Sequence, residues 1–108
     1  MGGNHDIYII EVAGEFRVRP AVAMINKSTK KLKIRNLTDY TAVLYFPLGF
    51  LENNKESDSI AKNTKDMFFN LDPGLDDSRP YQYSVLINKN GVLIEAKGES
   101  APSVIVDP

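Results

Sequence analysis

Apolar and polar residues alternate with a period of two along this chain, and no window holds the three-to-four-residue stripe of an amphipathic helix. In EFRVRP, Phe16 and Val18 point one way while Arg17 and Arg19 point the other; in KLKIR, Leu32 and Ile34 oppose Lys31, Lys33 and Arg35. Such segments pack one face and wet the other. The runs DIYIIEV, AVAMI, TAVLYF, DMFFNL and SVIV are more continuously apolar and read as central strands. Turn signals separate them at Ala13-Gly14, Asn26 to Thr29, Asn36 to Asp39, Pro73-Gly74 and Asn90-Gly91. Seven to nine short strands in a chain of 108 residues predict an all-β fold, a two-sheet antiparallel Greek-key β-sandwich or a closely related barrel. The long segment Gly49 to Lys65 is rich in Asn and acids and reads as a solvated crossing between the sheets.

The clearest local signal is RPYQYSVLINKNGVLIEAKG, Arg79 to Gly98. Asn90-Gly91 suits a two-residue turn with positive φ at both positions. Counting outward then pairs Ile87 with Ile94 and Val85 with Ala96 on an apolar face, and Leu86 with Glu95 on the other. Tyr81 and Tyr83 share the face of Val85 and Ile87. The strand is fully used by core and solvent, which leaves it no chemical role.

Length, with 43% hydrophobic residues, fits one core and not two. Residues 1–5 read as a disordered leader and residues 6–108 as a single sandwich domain. Residues 1–50 carry seven Lys/Arg against four Asp/Glu, and residues 51–108 six against ten, so a net charge of −1 hides a dipolar sequence. That balance argues against a nucleic-acid binder. There is no cysteine, which removes disulfides, thiolate metal sites and cysteine nucleophiles. No apolar run approaches the roughly 20 residues of a membrane helix. The chain as written shows no export signal, which points to a cytoplasmic protein or to an exported domain separated from its leader.

The order VRPAVAMINKSTKKLKIRNLTDYTAVLYFP, then FFNLDPG, then YQYSV resembles a cupredoxin, the sandwich family of blue-copper proteins. The likeness covers Val18 to Val85. It implies a Greek-key sandwich in which the strand after the Asn-rich turn carries a first histidine and the Tyr-x-aromatic strand ends in cysteine. This chain has apolar residues around Ala42 and Val43 at the first position and Val85 at the second; after Val85 it runs straight into the hairpin instead of a ligand loop. A blue-copper site needs two imidazoles and a thiolate in one small volume. The resemblance therefore implies the fold without the metal. An immunoglobulin-like sandwich is the rival topology, with Tyr83 or Tyr81 at a tyrosine corner.

Each candidate group also has an ordinary structural role. His5, the single histidine, lies in the leader, and the Met24 and Met67 thioethers read as core packing. Asp72, Asp76 and Asp77 with the acids of ENNKESD lack the spacing of a calcium loop and read as turn and solvent residues. Arg17, Arg19, Lys31, Lys33 and Arg35 form a basic face if their strands are neighbours, but no aromatic for base stacking accompanies them. Asn36-Leu37-Thr38 and Asn26-Lys27-Ser28 match the glycosylation acceptor pattern and read as turns. No nucleophile elbow or triad appears, so no catalytic, cofactor or metal residues are assigned. The segment FPLGFL is the candidate partner surface, through Phe46, Leu48, Phe50 and Leu51, set against its reading as a satellite core under the long loop. The expected function is a non-catalytic module binding a protein partner or a second copy, by this loop or by edge-strand pairing, without nucleic acid or membrane. The alternatives are a metal-binding or electron-transfer relative with a degenerate site, and a carbohydrate-binding module using Tyr40, Tyr45 or Tyr81.

Overall fold

The alternating segments become strands because each buries one row of β-branched or aromatic side chains while its partners satisfy the backbone. The computed structural model describes residues 6–26, 31–76, 79–96 and 102–107, with the side chains of Asn26 and Asp107 left aside. The strands in chain order are β1 (Asp6–Val12), β2 (Glu15–Arg19), β3 (Val22–Asn26), β4 (Lys31–Asn36), β5 (Thr41–Tyr45), β6 (Ser57–Ile60), β7 (Thr64–Asn70), β8 (Pro80–Gln82), β9 (Ser84–Lys89), β10 (Val92–Glu95) and β11 (Ser103–Asp107). The expected leader, residues 1–5, lies outside the described residues.

One layer is a sheet of order β2-β1-β4-β7; the other consists of the sheets β10-β9-β5-β6 and β3-β11-β8. These last two share one interrupted strand, since β8 and β9 are separated only by Tyr83, whose N–H donates to the Pro102 carbonyl at 3.0 Å. The molecule is an all-β sandwich. Two ladders differ from the antiparallel expectation: β1 runs parallel to β4, with Ile7 beside Ile34, and β3 runs parallel to β11. Alternation specifies which face a residue takes, not the direction of a neighbour far along the chain.

The half-buried strands follow the sequence pattern: Phe16, Val18, Leu32 and Ile34 are buried. The continuously apolar ones split. β1, β5 and β11 are interior strands, whereas β3 and β7 are sheet edges that expose Val22, Met24 and Phe68. Met24 is therefore an exposed residue rather than a core one, while Met67 packs against the core. The Gly49–Lys65 segment is not wholly irregular, for it contains β6, which pairs antiparallel with β5. SDSI was invisible as a strand because an edge strand needs only one apolar contact, here Ile60.

Ile7, Ile9, Leu44, Ile60, Ile87 and Val85 meet between the layers. Full burial of such a side chain stabilises by roughly 1.5–3 kcal/mol. At one end of the core Phe46 stacks on Phe50 (centroids 5.6 Å) and Tyr83 (5.9 Å) and tilts against Phe69 (5.3 Å). Tyr83 is buried there and its hydroxyl has no hydrogen-bond partner among the described residues. Burial pushes its phenol above the ordinary value of 10.0, because an ionised ring oxygen would lose its water. The folded state thus holds this proton more tightly than the unfolded chain, and stability present below pH 10 falls as pH rises past the ordinary value. Tyr83→Phe removes an unpaired polar atom and is expected to gain about 1 kcal/mol at neutral pH. It should also flatten the alkaline loss; a Phe variant less stable than the parent in urea at both pH 7 and pH 11 would refute this.

Candidate functional site

β2 and β10 are outer strands of the two facing layers, and a cleft opens between them. Both belong to hairpins with two-residue turns at positive φ, Ala13 (53°) with Gly14 (81°) and Asn90 (54°) with Gly91 (89°). The second is capped by Asn88, whose Oδ1 accepts from the Gly91 N–H at 2.9 Å. The hairpin register is the expected one, Ile94 beside Ile87 and Glu95 beside Leu86.

What the sequence pattern missed is the exposure of β10. Val92, Leu93 and Ile94 are 61, 53 and 37% exposed, and no residue of the strand is buried. Val92 and Ile94 lie on the inward side, yet neither is buried, and Ile94 overhangs a cleft of about 300 Å³ instead of the core. Its walls are the β1–β2 turn with Phe16 and Arg17 on one layer, and Lys89, Ile94 and Glu95 on the other. The available signal was three consecutive apolar residues in the outer arm of a hairpin.

The backbone at this edge is unpaired in a defined pattern. Ala96 N–H donates to the Val85 carbonyl at 2.9 Å, which makes Val85 and Ala96 a hydrogen-bonded pair. Alternation makes Ile87–Ile94 and Lys89–Val92 bonded pairs too. Leu93 and Glu95 therefore turn their N–H and C=O groups away from β9, to the side where no strand of the described residues lies. Edge β2 is the same in principle but carries Glu15, Arg17 and Arg19, charges that discourage strand addition. On β10 the one charge is Glu95.

Electrostatics divide the two outer faces. On the first layer β1 lies between β2 and β4, so the basic residues of those strands are not direct neighbours. Tyr8 sits in register with Arg19 and Arg35, and Phe68 with Lys33, so aromatic rings do accompany the cations, contrary to the sequence reading. Carboxylates neutralise most of them: Glu15 pairs with Arg17, Asp6 with Arg35 (3.2 Å), and Asp66 with Lys33 (3.2 Å). This is a face laced with ion pairs, each worth little, rather than an anion receptor. The outer face of the β10-β9-β5-β6 sheet presents Val43, Tyr45, Leu86 and Leu93 among Ser, Thr and Asn, and Glu95 is its single charge among the described residues.

The sequence-derived partner surface is placed differently from expectation. Phe46, Phe50 and Leu51 are buried, and only Leu48, 74% exposed, faces solvent. The segment folds back through a turn closed by the Phe50 N–H to the Pro47 carbonyl (3.2 Å), and the Leu51–Leu71 bridge fastens it. FPLGFL is a plug for the end of the core. The burial of Phe46, Phe50 and Leu51 fits the satellite-core reading of the segment, although an aromatic run leaving a strand does not by itself reveal that the chain reverses. The rings named for sugar stacking do not share a platform: Tyr40 packs edge-on against Phe16, Tyr81 against Phe50, and Tyr45 alone is well exposed.

The acidic candidates have local partners. Asp72 Oδ1 accepts from the Gly74 N–H (2.7 Å), Asp58 pairs with Lys55 (2.9 Å) and Asp76 with Arg79 (3.3 Å); Asp77 lies outside the described residues. Among the described residues no three of His, Cys, Asp and Glu gather as metal ligands. His5 is outside them. Val85 and Ala42, at positions the cupredoxin likeness singles out, are buried in the core and Val43 faces outward, half-buried.

Asn36 is fully buried. Its Nδ2 donates to the carbonyls of Tyr40 (2.8 Å), Ile60 (3.1 Å) and Ala61 (3.2 Å), and its Oδ1 accepts from the Thr38 N–H (3.1 Å) and Oγ1 (2.7 Å). The folded protein thus has no free amide at that acceptor pattern, while Lys27 and Ser28 of the other lie outside the described residues. Comparison with protein-family models, with curated proteins and with solved structures finds no match.

Proposed function

We propose that the protein is a non-catalytic interaction module whose β10 edge accepts an extended segment of a protein partner, which adds a strand to the β10-β9-β5-β6 sheet. The observation that carries this is the unpaired backbone of Leu93 and Glu95 beside the exposed Val92, Leu93 and Ile94. Main-chain bonds would supply affinity, and the cleft below Ile94 would receive every second side chain of the incoming strand. The likeness to cupredoxins is on this reading one of scaffold, with Val85 serving the core where that family keeps its cysteine.

The test is an NMR titration of the full chain with a panel of extended peptides of alternating apolar pattern. The amide signals of Leu93 and Glu95 are expected to move first, and Ile94→Ser should weaken the best peptide about tenfold, or ~1.4 kcal/mol. Peptides that leave those amides unmoved, or that move the Tyr8 and Arg35 face instead, would overturn the reading.

A further inference from the structure

Resting on the reading of β10 as a docking edge, we infer that its occupant is β10 of a second copy of this chain, antiparallel across a two-fold axis at Ile94. A two-fold pairing can use the outward groups of Leu93 and Glu95 in three registers. Placing Leu93 opposite Leu93 brings Gly91 opposite Glu95, but the Gly91 N–H is already held by Asn88. Placing Glu95 opposite Glu95 sets like charges face to face, which disfavours it. Placing Leu93 opposite Glu95 of the other copy satisfies both outward residues of each strand and keeps the two carboxylates apart.

That third register has a definite side-chain consequence. Ile94 meets Ile94 of the other copy above the paired clefts, so the isoleucine left exposed on one edge covers that of the other. The nearly uncharged outer faces then join into one eight-stranded sheet, with no cation or carboxylate among the described residues at the seam except Glu95 beside Leu93. A closed two-fold also leaves no further copy of this edge free.

Because the chain has no cysteine, single replacements report the register without background. Opposed residues of a non-bonded antiparallel pair have Cα atoms about 4.5 Å apart, within disulfide reach, whereas diagonal residues are about 7–8 Å apart and are not. Ile94→Cys is therefore expected to oxidise to a covalent dimer, and Leu93→Cys to remain uncrosslinked. Sedimentation equilibrium of the unmodified chain should show the mass rising with concentration from 12.1 kDa toward twice that value. Leu93→Pro deletes an outward N–H and no intrachain ladder bond, so it should keep the far-UV spectrum of the parent and sediment as a monomer. A dimer that survives Leu93→Pro, or equal crosslinking through Cys at 93 and 94, would overturn the inference. So would a parent chain that stays at 12.1 kDa up to millimolar concentration. In that last case peptides that still shift the Leu93 and Glu95 amides leave the docking edge standing with another occupant, and peptides that do not remove both readings.

Discussion

Asn36→Asp is expected to destabilise the fold by about 3–5 kcal/mol, a large fraction of what a domain of this size has. The amide at this position donates to three backbone carbonyls from two connections, the β4–β5 turn at Tyr40 and the β6–β7 turn at Ile60 and Ala61. A carboxylate has no hydrogen to give them and would bring a charge to a site without solvent, facing three carbonyl oxygens. Asn36→Ala, which removes the donors without adding charge, is expected to cost about 2–3 kcal/mol. Urea unfolding checks both, as a lowered midpoint at unchanged slope. An Asp variant within 1 kcal/mol of the parent would show that the knot does not hold the two turns together.

Phe50→Asp and Leu48→Asp separate the core role of FPLGFL from a surface role. Phe50 is 1% exposed and lies against Phe46 and Tyr81, so an aspartate there loses the aromatic packing and buries a charge; the expected cost is about 4–5 kcal/mol. Leu48, two residues earlier and 74% exposed, is expected to accept Asp within about 0.5 kcal/mol. Thermal melts of the pair decide the matter. Equal melting temperatures would return the segment to the surface, and a partner or second copy lost in Leu48→Asp would make it an interface.

The strands with strict alternation were legible because one buried row is all that period two encodes, and β2 and β4 show it residue by residue. The Asn90-Gly91 register was legible because two positive φ values leave a hairpin one way to close. Position within the sheet was not. AVAMI and DMFFNL have the composition of central strands, yet β3 and β7 are edges, since an outward Met24 or Phe68 looks the same in sequence as an inward one. The candidate site fell between these cases. Its pairing follows from the turn, but the face Ile94 shares with Ile87 gives no sign that a cleft walled by Phe16 of the other layer lies there in place of core. Where one layer ends relative to the other depends on how the sheets are offset, and no single strand carries that information. The Asn36 knot was equally hidden, because its partners at Ile60 and Ala61 lie 24 and 25 residues away.

The placement of β11 between β3 and β8 has a consequence for synthesis. A nascent chain that has emerged only as far as Ala96 holds both flanking strands but lacks the one that joins them, and Ala23, Ile25 and Tyr81 lack their partners in the ladder. Such long-range pairing is slow, since loop-closure entropy is lost before any contact is gained. The ribosome must therefore release residues 103–107 before this part of the barrier can be crossed, and until then the growing polypeptide depends on whatever keeps its open seam from pairing with a neighbour.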